Sequence, residues 1–277
     1  MKTASPLRYP GGKWRVAPIF ERLIELNGLD GCSYFEPYAG GASLALSLLI
    51  RGRVADISLN DLDPAIHAFW SSVLRQTKEF VSLVKHARLT PQEWSRQRRT
   101  YDRGSSAGML ALGFATFYLN RTNHSGVLNG GMIGGRMQAG TWKLDARFNK
   151  DDLIERIRRV ASLKSQIHLS RRDADDFLQD CRSGRRRLVY LDPPYYRPGR
   201  RRLYLDFYSP EDHAAIRDRV VGLSGPWIVS YDDDPKVRAL YRGVTSRRLQ
   251  LLHTAREARI GREVLFFSPC LRIPSLR

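Results

Sequence analysis

Apolar positions along the chain follow two spacings. Short apolar runs bounded by polar, glycine or proline residues fall at 34–36, 55–60, 166–170, 187–192, 227–231 and 264–268, and each reads as a strand. Between them the apolar residues recur every three to four positions, which fits helices over 14–26, 43–51, 64–88, 107–121, 152–163 and 210–223. Ser209-Pro210-Glu211-Asp212 marks one helix start: a serine cap, proline at the first helical position and acids in the first turn. Strands alternating with helices predict an α/β sheet covered by helices. The alternation fails between about Ile66 and Lys164, where helices appear without a convincing strand. A hundred residues of bare loop is improbable, so a sheet interrupted once by a helical insertion is the simplest organisation.

Composition narrows the partners. The 277 residues carry 46 Lys+Arg, 38 of them Arg, against 28 Asp+Glu, leaving +18. Such a field favours polyanions, nucleic acid first and an anionic membrane surface second, although Arg-rich surfaces also arise from base composition of the genome. No basic amphipathic helix has a long apolar face, and the longest uncharged stretch, 104–120, is too short and too rich in Gly and Ser to span a bilayer. The N-terminus shows no apolar signal segment. Cys32, Cys181 and Cys270 form no CxxC pair, and the six histidines show no HExxH spacing. The expectation is a cytoplasmic protein with no metal and no membrane association.

Two segments carry chemistry. In Phe35-Glu36-Pro37-Tyr38-Ala39-Gly40-Gly41-Ala42-Ser43 a strand runs through small residues into an apolar helix, so a ligand can approach the backbone and the helix amides. The next strand ends in Asn60-Asp61-Leu62-Asp63, where an acid either holds a ribose diol or caps the helix at Pro64. The second segment, Leu188-Val189-Tyr190-Leu191-Asp192-Pro193-Pro194-Tyr195, places a carboxylate at a strand's carboxyl end, followed by two prolines and an aromatic ring. Open α/β sheets bind ligands at that end. Prolines lack an N–H. The set suits a planar exocyclic amine: Asp192 and the Pro193 carbonyl accept its two N–H bonds, and Tyr195 stacks on the ring. A basic loop, Arg8-Tyr9-Pro10-Gly11-Gly12-Lys13, precedes both.

With these three segments in this order, the chain resembles the Dam-type (D12 class) DNA adenine N6-methyltransferases, of the arrangement in which the cofactor turn precedes the insertion and DPPY follows. Phe117-Tyr118-Leu119-Asn120-Arg121, Trp227-Ile228-Val229-Ser230-Tyr231 and Glu263-Val264-Leu265-Phe266-Phe267 extend the likeness. The resemblance implies a methyltransferase-type, Rossmann-like mixed α/β sheet over residues 1–66 and 165–277, with a helical target-recognition domain inserted at 67–164. It implies S-adenosylmethionine as methyl donor, no metal, and double-stranded DNA as partner. The cofactor would meet Tyr9, Lys13, Phe35, Glu36, Pro37, Gly40, Gly41, Asp61 and Asp192, and catalysis would rest on Asp192, Pro193, Pro194 and Tyr195. The adenine would flip out of the duplex, and Arg121, Asn123, His124, Ser125, Arg197 and Arg200 would contact DNA. His124, aligned with an aromatic wedge in relatives, is as readily a hydrogen-bonded turn histidine. Asp173 borders the adenine or caps a helix. Arg96, Arg98, Arg99 and Arg103 in the insertion are candidates for phosphate contact, whereas Arg185, Arg186 and Arg187 read as a solvated cluster.

Two other readings stay open: an RNA adenine N6-methyltransferase, and a catalytically silent DNA-binding homologue within a larger complex. A restriction endonuclease partner and a monomeric or dimeric state are equally compatible with the resemblance.

Overall fold

The computed structural model describes residues 3–8, 13–181, 186–194, 196, 208–253 and 259–275. Along the chain the helices are α1 (Ala17–Leu26), α2 (Ser43–Ile50), α3 (Pro64–Arg75), α4 (Thr77–His86), α5 (Pro91–Asp102), α6 (Met109–Thr122), α7 (Lys150–Ser162), α8 (Ala174–Asp180), α9 (Pro210–Val221) and α10 (Pro235–Leu240). The strands are β1 (Cys32–Glu36), β2 (Val54–Asn60), β3 (Ile167–Ser170), β4 (Arg187–Leu191), β5 (Trp227–Asp232), β6 (Ser246–His253) and β7 (Arg259–Phe267). They belong to two compact units, one formed by Lys13–Leu62 with Gln166–Arg277, the other by Asp63–Ser165 with the first residues of the chain.

The first unit holds one seven-stranded sheet in the order β3-β2-β1-β4-β5-β7-β6. β3, β2, β1, β4 and β5 run parallel, and β7 pairs antiparallel with both β5 and β6. This is the mixed α/β sheet that the resemblance implies. Every residue of β4 is buried, as expected for a parallel strand covered on both faces. Phe20 of α1 packs edge-on to Tyr190 of β4 at 5.0 Å. Phe177 and Leu178 of α8, Ile216 and Val220 of α9, and Trp227 and Val229 of β5 form part of one buried cluster. At the start of α9, Ser209 and Asp212 form a reciprocal capping box behind Pro210.

Four details of this unit differ from the sequence expectations. β6 fits no apolar run, because an edge strand carrying Arg247 and Arg248 lacks the pattern of a covered one. β7 begins five residues before the apolar run that marks it, at Arg259 rather than Val264. α8 and α10 are single short helices with too few turns to show a period. Arg187, expected in a solvated cluster, is the buried first residue of β4; its Nε and Nη1 have no hydrogen-bond partner among the described residues. Gly225 makes the space, since a Cβ there would lie 2.9 Å from Arg187 Nε. Arg186 is exposed and donates to the Asp30 carbonyl, while Arg185 lies outside the described residues.

The second unit is helical, and its described residues contain no strand beyond one bridge between Asn123 and Met132. The helix expected over 64–88 is two: Gln76 leaves helical geometry with φ −129°, separating α3 from α4. α5 was absent from the sequence expectations; its polar sequence hides the helix, but Thr90 caps it and Pro91 opens it. Phe69, Phe80, Phe117 and Phe148 form the aromatic core, with Phe69 and Phe117 stacked at 5.9 Å. α6 crosses α3 at Gly113, where an added Cβ would stand 2.5 Å from the Ala68 carbonyl oxygen.

Residues 3–8 belong to this helical unit, not to the sheet unit with which the sequence boundaries grouped them. Asn120 explains the attachment. Its side chain accepts from Arg8 N–H at 2.7 Å and donates to the Arg8 carbonyl at 2.7 Å and the Gly126 carbonyl at 2.9 Å.

Candidate active site

Glu36 closes β1 and is 4% exposed. Burial pushes its carboxyl up to about 8; the hydroxyl of Tyr34, donating at 2.9 Å, opposes this, and the charge of Asp192 adds to it. Beyond Glu36 the chain turns through Gly40 at φ +44° and Ala42 at φ +46° before α2 begins with no side-chain cap. Gly40 donates its N–H to Asp61 Oδ2 at 2.8 Å. The cap before Pro64 is Asp63, which accepts from Ala65 N–H at 2.7 Å, so Asp61 is committed to the glycine turn and not to the helix. Pro37 and Gly41 are buried in the same turn, and Phe35 packs its ring against Phe177 at 6.2 Å.

Asn60, fully buried at the end of β2, holds three strand ends together. Its Nδ2 donates to the carbonyls of Pro37 (3.1 Å) and Arg172 (2.9 Å), while Oδ1 accepts from Ser170 Oγ (2.8 Å) and Arg172 N–H (2.9 Å). Asn60→Ala should lower unfolding free energy by roughly 2–4 kcal/mol, because four groups, one in a buried and three in partly buried hydrogen bonds, lose their partner. Urea unfolding at constant m-value would check this.

At the end of β4, Asp192 is a third exposed. Ser230 Oγ of β5 donates to Asp192 Oδ1 at 2.7 Å and sits 2.7 Å from the Tyr190 hydroxyl. Lys13 Nζ reaches the same Oδ1 at 3.1 Å and donates to Glu263 Oε1 of β7 at 2.9 Å. Among the described residues every partner of the Asp192 carboxylate is on Oδ1. Within that set the second oxygen is left for a substrate donor, next to a Pro193 carbonyl that has no amide proton of its own residue to compete with.

Tyr9, Tyr195, Arg197 and Arg200 lie outside the described residues. Lys13, Glu36 and Asp192 share one cluster of interacting charges, and Gly40 and Asp61 share the turn beside it in sequence. Asp173 accepts from Asp175 N–H at 2.8 Å and caps α8, which decides between its two readings.

The expected DNA contacts divide. Arg121 is buried and donates its Nε (2.7 Å) and Nη2 to the Pro6 carbonyl; burial, with Arg156 and Arg8 nearby, lowers its guanidinium to about 9. Asn123 is fully buried, accepting from Trp94 Nε1 at 2.7 Å and donating to the carbonyls of Val127 and Leu128. Both side chains are spent on the interior of the helical unit, a correction to their placement at DNA. His124 is exposed and Ser125 is half-buried with φ +58°. Of the insertion arginines, Arg96 pairs with Glu93, and Arg98 with Asp102 and the Leu128 carbonyl, while Arg99 and Arg103 are exposed.

Sequence reasoning assigned no role to Asn60, Ser230 or Glu263. Ser230 is a polar interruption of an apolar strand, a signal that marks a buried partner without naming it, whereas Glu263 stands beside Arg262 just ahead of the apolar run and carries no such signal.

A model of the D12 class N6 adenine-specific DNA methyltransferases matches residues 9–255. The chain belongs to that family. Membership makes it a methyltransferase that uses S-adenosylmethionine and acts on adenine N6. Searched against curated proteins, the D12 chain finds no match. Among solved structures it is similar to the rRNA methyltransferase aviRa from Streptomyces viridochromogenes (15% identity, 95% of this chain and 87% of that one, TM-score 0.43). It is similar also to a candidate RNA methyltransferase from Pyrococcus horikoshii (10% identity, 98% and 87%, TM-score 0.42). Among the described residues no group of three or more His, Cys, Asp or Glu could hold a metal ion, and no helix is long and apolar enough to cross a membrane.

Proposed function

We propose that this D12 methyltransferase is site-specific for double-stranded DNA and methylates N6 of an adenine turned out of the duplex. The observation that carries the chemistry is the asymmetric carboxylate of Asp192, anchored through Oδ1 and, among the described residues, unengaged at Oδ2. S-adenosylmethionine supplies an electrophilic methyl group when bound. The residues fit such a ligand. The left-handed turn at Gly40 and Ala42 and the uncapped start of α2 suit its carboxylate, and buried Glu36 suits its ammonium. Asp61, fixed by the Gly40 amide, suits a ribose diol.

Adenine N6 is a poor nucleophile because its lone pair is delocalised into the ring. Asp192 Oδ2 and the Pro193 carbonyl accept its two N–H bonds and draw the nitrogen toward a tetrahedral shape. That places the lone pair on one side, and a near-attack approach of ~3–3.5 Å does the rest. Asp192 need not remove a proton beforehand, since an aromatic amine is too weak an acid; the proton leaves after N6 has become cationic. Tyr195 would stack on the base. Turning the base out costs a few kcal/mol of pairing and stacking. His124 and Ser125 would stand at the vacated position, with Arg99, Arg103, Arg197 and Arg200 on phosphates. Phosphate contacts give affinity and salt dependence, base contacts give site choice.

Plasmid DNA from a methylation-free host expressing the protein, read by single-molecule methylation sequencing, tests this directly. N6-methyladenine at a defined sequence is expected with the intact chain and not with Asp192→Ala. An unmodified plasmid despite folded protein would overturn the duplex-DNA reading and direct the same assay to RNA.

A further inference from the structure

Lys13 lies between two carboxylates from strands that are not neighbours in the sheet: Asp192 follows β4 and Glu263 belongs to β7. The Lys13 side chain is 9% exposed and that of Glu263 2%. Burial raises the Glu263 carboxyl above the ordinary range, Lys13 opposes this, and the charges of Asp192 and Asp232 add to it. Two buried charges of this kind are costly to desolvate, and a well-packed apolar pair in their place would often be as stable or more so. Stability therefore gives a weak reason for the pair. Geometry gives a better one. A lysine ammonium is a point charge on a flexible stem, with no planar fork to set its direction. Such a charge by itself sets no preference between the two oxygens of a carboxylate. With Glu263 at 2.9 Å on one side, it meets Asp192 at Oδ1, the oxygen that Ser230 also binds.

We infer that Glu263 is a positioning residue for methyl transfer, acting through Lys13 to hold Asp192 by Oδ1 and keep Oδ2 turned to the substrate amine. Glu263 touches no reacting atom. The inference rests on the methyl-transfer reading above. The groups facing it are Lys13, Asp192 and Asp232, with the Tyr190 hydroxyl on β4 within electrostatic reach. Glu36 reaches the cluster through Asp192. The sign of the pH effect follows. As pH falls, Glu263 takes up its proton above the usual carboxylate range, Lys13 loses the charge of Glu263 that directs it, and the rate declines.

The full chain, Glu263→Gln and Glu263→Asp would be compared in single-turnover methyl transfer to plasmid DNA between pH 5 and 8.5, with cofactor binding by calorimetry and thermal unfolding alongside. Glu263→Gln should lose at least tenfold in kcat with cofactor Kd within threefold, and should lose the part of the acid limb that Glu263 contributes. Glu263→Asp, shorter but charged, should be intermediate and keep that limb. A Gln variant with wild-type kcat and profile would overturn the inference. So would loss of kcat only in proportion to lost cofactor binding or folding, with the profile shape unchanged in the Gln variant. If Gln fails to fold, the Asp variant decides: an intermediate kcat at unchanged cofactor Kd supports the inference, and wild-type kcat, or a loss only in proportion to cofactor binding or folding, overturns it. Wild-type chain that binds cofactor yet methylates neither DNA nor RNA would remove the underlying reading, and the inference with it.

Discussion

Asp192→Asn should cost ~10³-fold in kcat while leaving cofactor affinity nearly unchanged. The substitution is close to isosteric, so Ser230 and Lys13 still find an oxygen at the Oδ1 position. The other position becomes an amide N–H₂, and N6–H then meets a donor where it needs an acceptor. The interaction lost is the one that strengthens as positive charge builds on N6, so the effect falls on kcat rather than on binding. Single-turnover transfer of a radiolabelled methyl group to plasmid DNA, beside calorimetric cofactor titration, reads both quantities. A loss below tenfold would mean that orientation by Pro193 and Tyr195 suffices, and that the carboxylate's charge is incidental.

The second large effect concerns stability. Glu36 is held at about 8 in the folded protein and titrates in the ordinary carboxylate range when unfolded. Below that range both states are protonated and nothing is lost. As pH rises toward 8 the unfolded chain releases a proton that the folded chain keeps, so stability falls through this window and levels off above it. Glu36→Gln keeps the acceptor for Tyr34 and removes the titration. It should stabilise the ligand-free protein by on the order of 3 kcal/mol at pH 8.5 and by little at pH 4. Urea unfolding of both proteins at the two pH values checks it; curves separated equally at both would show that Glu36 is not the titrating group. The same variant should bind S-adenosylmethionine more weakly if Glu36 receives the ammonium. A residue kept at the expense of stability is expected at a functional site.

What was legible in the sequence follows from what each residue does locally. The central strands β4 and β5 read clearly because burial on both faces makes them nearly continuous apolar runs. Ser209 and Pro210 announced α9 because a cap is written in adjacent residues. The edge strand β6 and the polar helix α5 were hidden, since neither shows the apolar period on which such reading depends. At the site, Asp192 stood out from its place between an apolar strand and two prolines, but its anchoring did not. Lys13 and Glu263 are 250 residues apart, and only the sheet order brings them together. Arg121 and Asn123 illustrate the converse. Polar residues after an apolar helix look like contacts for a ligand, yet both turn inward, to the Pro6 carbonyl and to Trp94.

The attachment of residues 3–8 to the helical unit sets an order of events during synthesis. Arg8 leaves the ribosome first, yet its partner Asn120 follows 112 residues later, a delay of roughly 6–22 s at ordinary elongation rates. In that interval β1 and β2 are made, but β1 still lacks β4, so the nascent sheet has an open parallel edge. The helical unit is the first to have all its parts, from Ser5 and Arg8 to Arg156, whose guanidinium donates to the Ser5 carbonyl. On the growing chain the inserted segment therefore matures before the sheet that it interrupts is finished, and the leading residues serve as its clasp.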